Sequence, residues 1–352
     1  MSDLVAQLVN LPLRETSGAD TALRFQYQAA YGLALILDTH GEGEDYALVF
    51  EFHDDIAVLN SASVPTSVSF YQIKTKDKGH WTLTPILKQE KSSDDPSVLL
   101  PSILGKMYAN AVAFHGYVKH VAFVTNAELA FGPKKSSFNS GECSPEEQKK
   151  VQAQILKEVS GVTEVNHKLI VFKSSNLSLS DLDAHTKGKL DEFVVKLLGQ
   201  MDYSLDALYR AVIDECQRKS RNLTQAVSLE DLLAARGITK ADVDKWLNKV
   251  REKSIGPKWE EVCHHYHFAF SELRELRREW HRYMVEVLDV NGEVAFVRRM
   301  IRQHLDDIGI GAMDLNGLVD KTLSEIRSAD NVRTRDLTDA RLKVMIIYEA
   351  YS

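Results

Sequence analysis

Glu51, Asp54, Asp55, Gln72 and Lys74 are polar residues set into stretches that are otherwise apolar. Asp55 is followed by sixteen residues and then by Gln72-Ile73-Lys74. One or two carboxylates and a backbone carbonyl give a divalent cation the hard oxygen ligands it prefers. Such a cation polarises a phosphoryl oxygen and lowers the pKa of a bound water. A lysine beside it can orient or deprotonate that water, or stabilise charge on the phosphorus centre. Gln72 can coordinate through its amide oxygen but brings no charge. The metal set this implies is therefore Asp55, Asp54, Glu51 and Gln72, with the acidic cluster supplying the affinity.

Three strands must bring these residues together. Residues 45–52 are rich in Val, Leu and aromatic side chains, and Asp55 opens the run Ile56-Ala57-Val58-Leu59. A loop with Pro65 leads to a third strand over 67–75. Alternate residues of a strand share a face, so Gln72 and Lys74 point one way while Tyr71 and Ile73 can pack on the other. A neighbouring strand can bring Asp55 close to both polar residues. Strands apolar on both faces belong in a covered sheet, where a lysine and three carboxylates need a reason. Before the hairpin, Thr16 or Ser17 can cap a helix with Asp20 in its first turn, running to about residue 37. Leu23, Tyr27, Ala30, Ala34 and Leu37 form its core stripe, and Arg24 and Gln28 share another face.

The order Gly18, Arg24-Phe25-x-Tyr27-Gln28, Phe50-Glu51, Asp54-Asp55-Ile56 and Tyr71-Gln72-x-Lys74 resembles one bacterial anti-phage family over roughly residues 15–190. This is the double-stranded DNA endonuclease domain found as an effector in CBASS defence and as a partner of HerA-like hexameric ATPases. It belongs to the PD-(D/E)xK superfamily, in the branch where glutamine replaces the second acidic residue. The resemblance implies a restriction-endonuclease-like core and DNA cleavage that depends on Mg²⁺ (or Mn²⁺). It implies a catalytic set of Asp55, Gln72, Lys74, Asp54 and Glu51. Gln28 joins them, since a helix before the hairpin often aims a polar residue at the metal in this superfamily, with Arg24 supporting it or touching phosphate. Asp55 directly precedes the apolar strand, the usual place of the motif aspartate, and is favoured over Asp54 as the main ligand.

The chain has 352 residues, 44% of them hydrophobic, which suggests two domains with ample core. A formal net charge of −7 means that a DNA ligand needs a local basic surface. Lys76, Lys78, His80, Lys88 and Lys91 around Trp81, within residues 76–94, offer one, or else a mobile charged loop. The three cysteines, Cys143, Cys216 and Cys263, suggest no disulfide framework and a reducing cytoplasm. No stretch has the length and apolarity of a membrane span, so no membrane partner is expected.

Helices are expected at 96–117, 145–160 and from 179, with strands at 118–126 and 168–173 and a loop over 131–145. From about residue 197 strand signals vanish, and helices are expected at 202–217, 229–235, 240–252, 259–290, 293–307 and 338–351. The longest carries the apolar stripe Phe268, Phe270, Leu273, Leu276, Trp280, Met284, Val287 and Leu288. Arg274, Arg277, Arg278 and Arg282, interleaved with Glu272, Glu275 and Glu279, read as an ion-paired solvated face. Cys263, His264, His265 and His267 have the residue types of a zinc site but not its spacing. No phosphate-cradling G-x-x-x-x-G-K-[ST] is present, so the chain is not itself an ATPase.

The reading is an α/β restriction-endonuclease-like nuclease core, residues 1–196, followed by an all-α domain, residues 197–352, for oligomerisation or partner docking. CBASS relatives carry an α/β ligand-sensing domain there, and this helical half departs from that pattern. The competing reading is a degenerate nuclease fold acting as a non-enzymatic adaptor. Two copies, if the helical half pairs them, would bring two cleavage sites to the two DNA strands.

Overall fold

Apolar residues alternate with little interruption through residues 46–59, and this stretch forms the first hairpin of a seven-stranded mixed sheet. The structure, a computed structural model, describes residues 17–42, 44–199, 203–222, 224–255, 259–266, 269–287, 292–308, 313–329 and 332–351. Thr16, Phe268, His267 and Leu288 lie outside the described residues. By compactness the chain divides into two units, Met1–Thr186 with Glu215–Lys240, and Lys187–Asp214 with Ala241–Ser352.

In the first unit, helix α1 (Ser17–Gly41) leads into β1 (Ala47–Phe52), β2 (Asp54–Leu59) and β3 (Val68–Lys74). The short strands β4 (His80–Trp81), β5 (Glu90–Lys91) and β6 (Leu99–Leu100) follow, with helix α2 (Leu83–Leu87) between the first two. Then come α3 (Ile103–Ala113), β7 (Val118–Thr125), β8 (Glu128–Leu129), β9 (Ser137–Asn139), α4 (Pro145–Glu158) and β10 (Ile170–Ser174). Helices α5 (Leu182–Leu198) and α6 (Leu205–Ser220) come next, most of each lying in the second unit, and α7 (Leu229–Arg236) and β11 (Gly237–Thr239) complete the first. The sheet order is β11-β1-β2-β3-β7-β10-β9, parallel only at β3–β7 and β7–β10.

Helices cover both faces, which is why these strands are apolar on both sides. One face packs Val49, Ala57, Phe70, Phe123 and Phe172 against Leu104, Met107, Val151 and Ile155 of α3 and α4. On the other lies α1, with Leu33 and Ile36 fully buried. Gly32 permits that approach, because a Cβ there would stand 2.5 Å from the Phe50 ring. The expected stripe on α1 is buried at Tyr27, Ala30, Ala34 and Leu37, and Arg24 is exposed.

Several boundaries move for local reasons. The helix expected from 96 begins at Ile103, because Pro101 ends the preceding strand and Ser102 caps the helix, accepting from the Gly105 N–H at 3.0 Å. Leu99 is thereby placed in an exposed hairpin rather than in the helix. The expected loop 131–145 contains the edge strand β9, paired with β10. The segment 76–94 is folded as well. The Lys76 ammonium donates to the His80 carbonyl at 2.8 Å and lies 4.7 Å from the Trp81 ring centre, while Lys78, Lys88 and Lys91 remain exposed. After residue 197, where no strand is expected, β11 pairs antiparallel with β1.

Among the described residues the second unit is helical apart from its loops. It holds α8 (Lys240–Ile255), α9 (Trp259–His265), α10 (Phe270–Glu286), α11 (Glu293–Ile308), α12 (Leu315–Ser328), α13 (Val332–Arg335) and α14 (Asp339–Tyr351). The single helix expected over 259–290 is two, and α12 and α13 were not anticipated. Leu276, Trp280 and Val287 of the expected stripe are buried, with Trp280 6.0 Å from the Tyr348 ring of α14. Leu273 and Met284 are half-buried, so part of that stripe is consumed within its own unit. Arg278 lies 3.9 Å from Glu275 and Arg282 lies 3.1 Å from Glu286, as an ion-paired solvated face requires, whereas Glu279 of that expected face is buried. No helix among the described residues is long and apolar enough to cross a membrane.

Candidate active site

The turn between β1 and β2 is a single residue, His53, since Phe52 pairs with Asp54 and Phe50 with Ile56. Glu51 and Asp55 therefore fall between the same two rungs of the ladder. Glu51 (φ 49) and His53 (φ 62) both occupy the left-handed region. For residues other than glycine this costs on the order of 1–3 kcal/mol each and persists only where surroundings enforce it. The Asn110 amide of α3 donates to the His53 carbonyl at 3.2 Å, and the His53 ring stacks edge-on to Phe52 and Phe114. At Glu51 the enforcement comes from Arg236, whose Nη1 donates to the Glu51 carbonyl at 2.6 Å.

Asp55 replaces a rung of the sheet with its side chain. The β2–β3 register ends at the pair Ile56 and Tyr71. Beyond it, Asp55 Oδ2 accepts from the Ile73 backbone N–H at 2.6 Å and from Gln72 Nε2 at 2.5 Å. The expected approach of Asp55 to Gln72 is thus observed. The Gln72 amide nitrogen is committed to Asp55, which leaves Oε1 as the atom able to meet a cation.

Asp54 Oδ2 accepts from the Asn110 amide at 3.3 Å. Burial, and then the neighbouring Asp55 charge, push the Asp54 carboxyl up to about 7, against the pull of Lys74. The same two causes in the same order push Glu51 up to about 7, with Arg236 and Lys74 opposing. Glu51, Asp54 and Asp55 thus form one electrostatically coupled group that is short of positive charge. Lys74 stands opposite Thr125 of β7 and is half-buried. Its charge reaches both carboxyls and opposes their upward shift.

A divalent cation of the magnesium kind needs one or two carboxylates plus waters. Among the described residues no three His, Cys, Asp or Glu side chains converge as ligands. The donor set still fits, because Asp55 with one neighbour supplies hard oxygens where positive charge is lacking. In α9, Cys263 and His264 are exposed.

Gln28 joins no hydrogen bond to this cluster. Its Oε1 is buried and without a hydrogen-bond partner, on the helix that crosses the hairpin. Arg236 and Asn110 were missed by the sequence reading. Asn110 sits in an apolar helix with no motif around it, and Arg236 is 185 residues from the carbonyl it holds.

Comparison with known protein families matches residues 16–220 to the Cap4 dsDNA endonuclease domain. No curated protein matches the chain. The match spans more than half of the 352 residues and includes α1, the hairpin and β3. The chain belongs to the Cap4 dsDNA endonuclease domain family, and it is a DNA endonuclease.

Proposed function

We propose that the β1–β2 hairpin and the end of β3 form the cleavage centre of a divalent-metal-dependent double-stranded DNA endonuclease. It acts as an anti-phage effector, on a restriction-endonuclease-like core. The observation that carries this reading is the coupled group at the hairpin. Glu51 and Asp54 are both pushed up to about 7 by burial and the neighbouring Asp55 charge, and the Lys74 charge acts on both.

In this reading Asp55 is the main metal ligand. Its backbone and Gln72 bonds fix its direction, and Oδ1 is not used in them. Asp54 and Glu51 complete the negative charge, and Gln72 offers its oxygen. Mg²⁺ or Mn²⁺, when bound, supplies the charge that polarises the scissile phosphate. Lys74 orients or deprotonates the attacking water, or stabilises the charge that develops on phosphorus. Gln28 orders water or metal from the far side through its unpartnered oxygen. The adaptor reading is set aside by membership of an endonuclease family. The helical half, read from the sequence as residues 197–352, is proposed for assembly or for docking a regulator such as a HerA-like ATPase. Leu276, Trp280 and Val287 of the α10 stripe are buried within the chain, which leaves only the rest of it for a homo-oligomer.

Lys74→Ala tests the assignment. Plasmid nicking with Mg²⁺ or Mn²⁺ should fall by roughly 10²–10⁴-fold, the range for loss of one proton-transfer group. Far-ultraviolet circular dichroism and the melting midpoint should not change, because the ammonium is not packed in the core. Full plasmid cleavage by folded Lys74→Ala would sink the assignment.

A further inference from the structure

We infer that Arg236 is a positioning residue of the cleavage centre, delivered from beyond the stretch that matches the endonuclease domain. The match ends at residue 220, whereas residues 215–240 belong to the same compact unit as the sheet. The delivery is built in steps. Lys219 is buried, and its ammonium donates to the Leu233 carbonyl at 3.2 Å and the Ala234 carbonyl at 2.5 Å. A cation on the last carbonyls of a helix complements its dipole, so α7 is fixed at its C-terminal end. Gly237 then lets the chain turn tightly, because a Cβ there would stand 2.7 Å from the Leu233 Cα. The three residues that follow Arg236 pair with β1, with Val49 opposite Gly237. Arg236 itself is thereby carried past the end of the ladder to Glu51.

At that point Nη1 donates to the Glu51 carbonyl at 2.6 Å, the one residue of β1 with a left-handed backbone. The guanidinium also opposes the negative charge of the acidic group through Glu51. The residue is half-buried, and its Nε is buried with no hydrogen-bond partner, so the hold on Glu51 comes through Nη1 alone. Holding a costly backbone conformation at the centre of a charged hairpin is work for positioning, and errors of about 1 Å in such geometry cost on the order of 10²-fold in rate.

The inference rests on the hairpin being the cleavage centre, and one experiment separates the two. The full chain and its Arg236→Ala, Arg236→Lys and Lys74→Ala variants are compared. Steady-state plasmid cleavage is measured with Mn²⁺, and DNA retention in gels with Ca²⁺. For Arg236→Ala the expected result is a kcat loss of roughly 10- to 100-fold with KM and DNA retention unchanged. Arg236→Lys, or free guanidinium added to Arg236→Ala, should restore much of the rate. Wild-type kcat in folded Arg236→Ala, with cleavage lost in Lys74→Ala, would overturn this inference alone. A loss in Arg236→Ala that neither lysine nor guanidinium restores, accompanied by a lower melting midpoint, would reduce Arg236 to a structural role and overturn it too. Normal cleavage by Lys74→Ala would remove the site reading and this inference with it.

Discussion

Two regions of this protein bury carboxylates, and they do it in opposite ways. In the helical unit Glu349 is buried and fully answered. Tyr283 donates to it at 2.9 Å, Arg298 at 2.6 Å, and Arg302 reaches its other oxygen. Nearby, Arg341 lies between Glu279 and Glu286. In the nuclease unit Glu51, Asp54 and Asp55 crowd one hairpin and are answered by two more distant cations, Arg236 and Lys74. The first cluster neutralises itself and ties α10, α11 and α14 together. The second leaves negative charge uncompensated, and the proposed cleavage centre rests on that deficit.

The comparison breaks most readily at Glu349. Glu349→Ala leaves Arg298 buried without its partner, and losing one member of such a pair costs about 3–5 kcal/mol. Urea unfolding should show a loss of that size. Replacing Glu349 and Arg298 together by apolar residues of similar volume should cost less. Glu51→Gln removes a carboxyl from the crowded hairpin and should be neutral or stabilising without metal. If both substitutions cost the same, the two clusters are alike and the contrast fails.

A smaller effect appears in pH dependence. Glu51 and Asp54 have folded-state values raised to about 7, above the ordinary values of 4.5 and 3.8 expected in the unfolded chain. A raised carboxyl binds its proton more tightly in the folded state. Its contribution is therefore full below the unfolded value and is lost as pH climbs through the folded one. Without divalent metal, the melting midpoint should decline between about pH 4 and pH 7 relative to an Asp54→Asn, Glu51→Gln double variant. An equal pH response in the two proteins would contradict the raised values.

Much of this was legible from residue order. Alternation placed Gln72 and Lys74 on one face, and the Asp55–Gln72 bond follows from strand pairing that local pattern encodes. The α1 stripe and strand β7 were equally plain, since each is a long run of one period. The rest depends on distant partners. β11 is three residues long and is stabilised by β1, far away in the chain, so nothing in Gly237-Ile238-Thr239 announces a strand. Arg236 reaches Glu51 only because that strand exists. The charge deficit was invisible as well, because burial and not composition sets it.

The central claim is that the hairpin acidic group holds a divalent cation through Asp55. Titration calorimetry of Mn²⁺ into the full chain at neutral pH, in two buffers of different ionisation enthalpy, tests it directly. The account predicts saturable binding with proton release, because Glu51 and Asp54 are partly protonated before the cation arrives. It predicts that Asp55→Asn weakens binding most, and Asp54→Asn less. Binding to Asp55→Asn with wild-type affinity and the same proton release would contradict it.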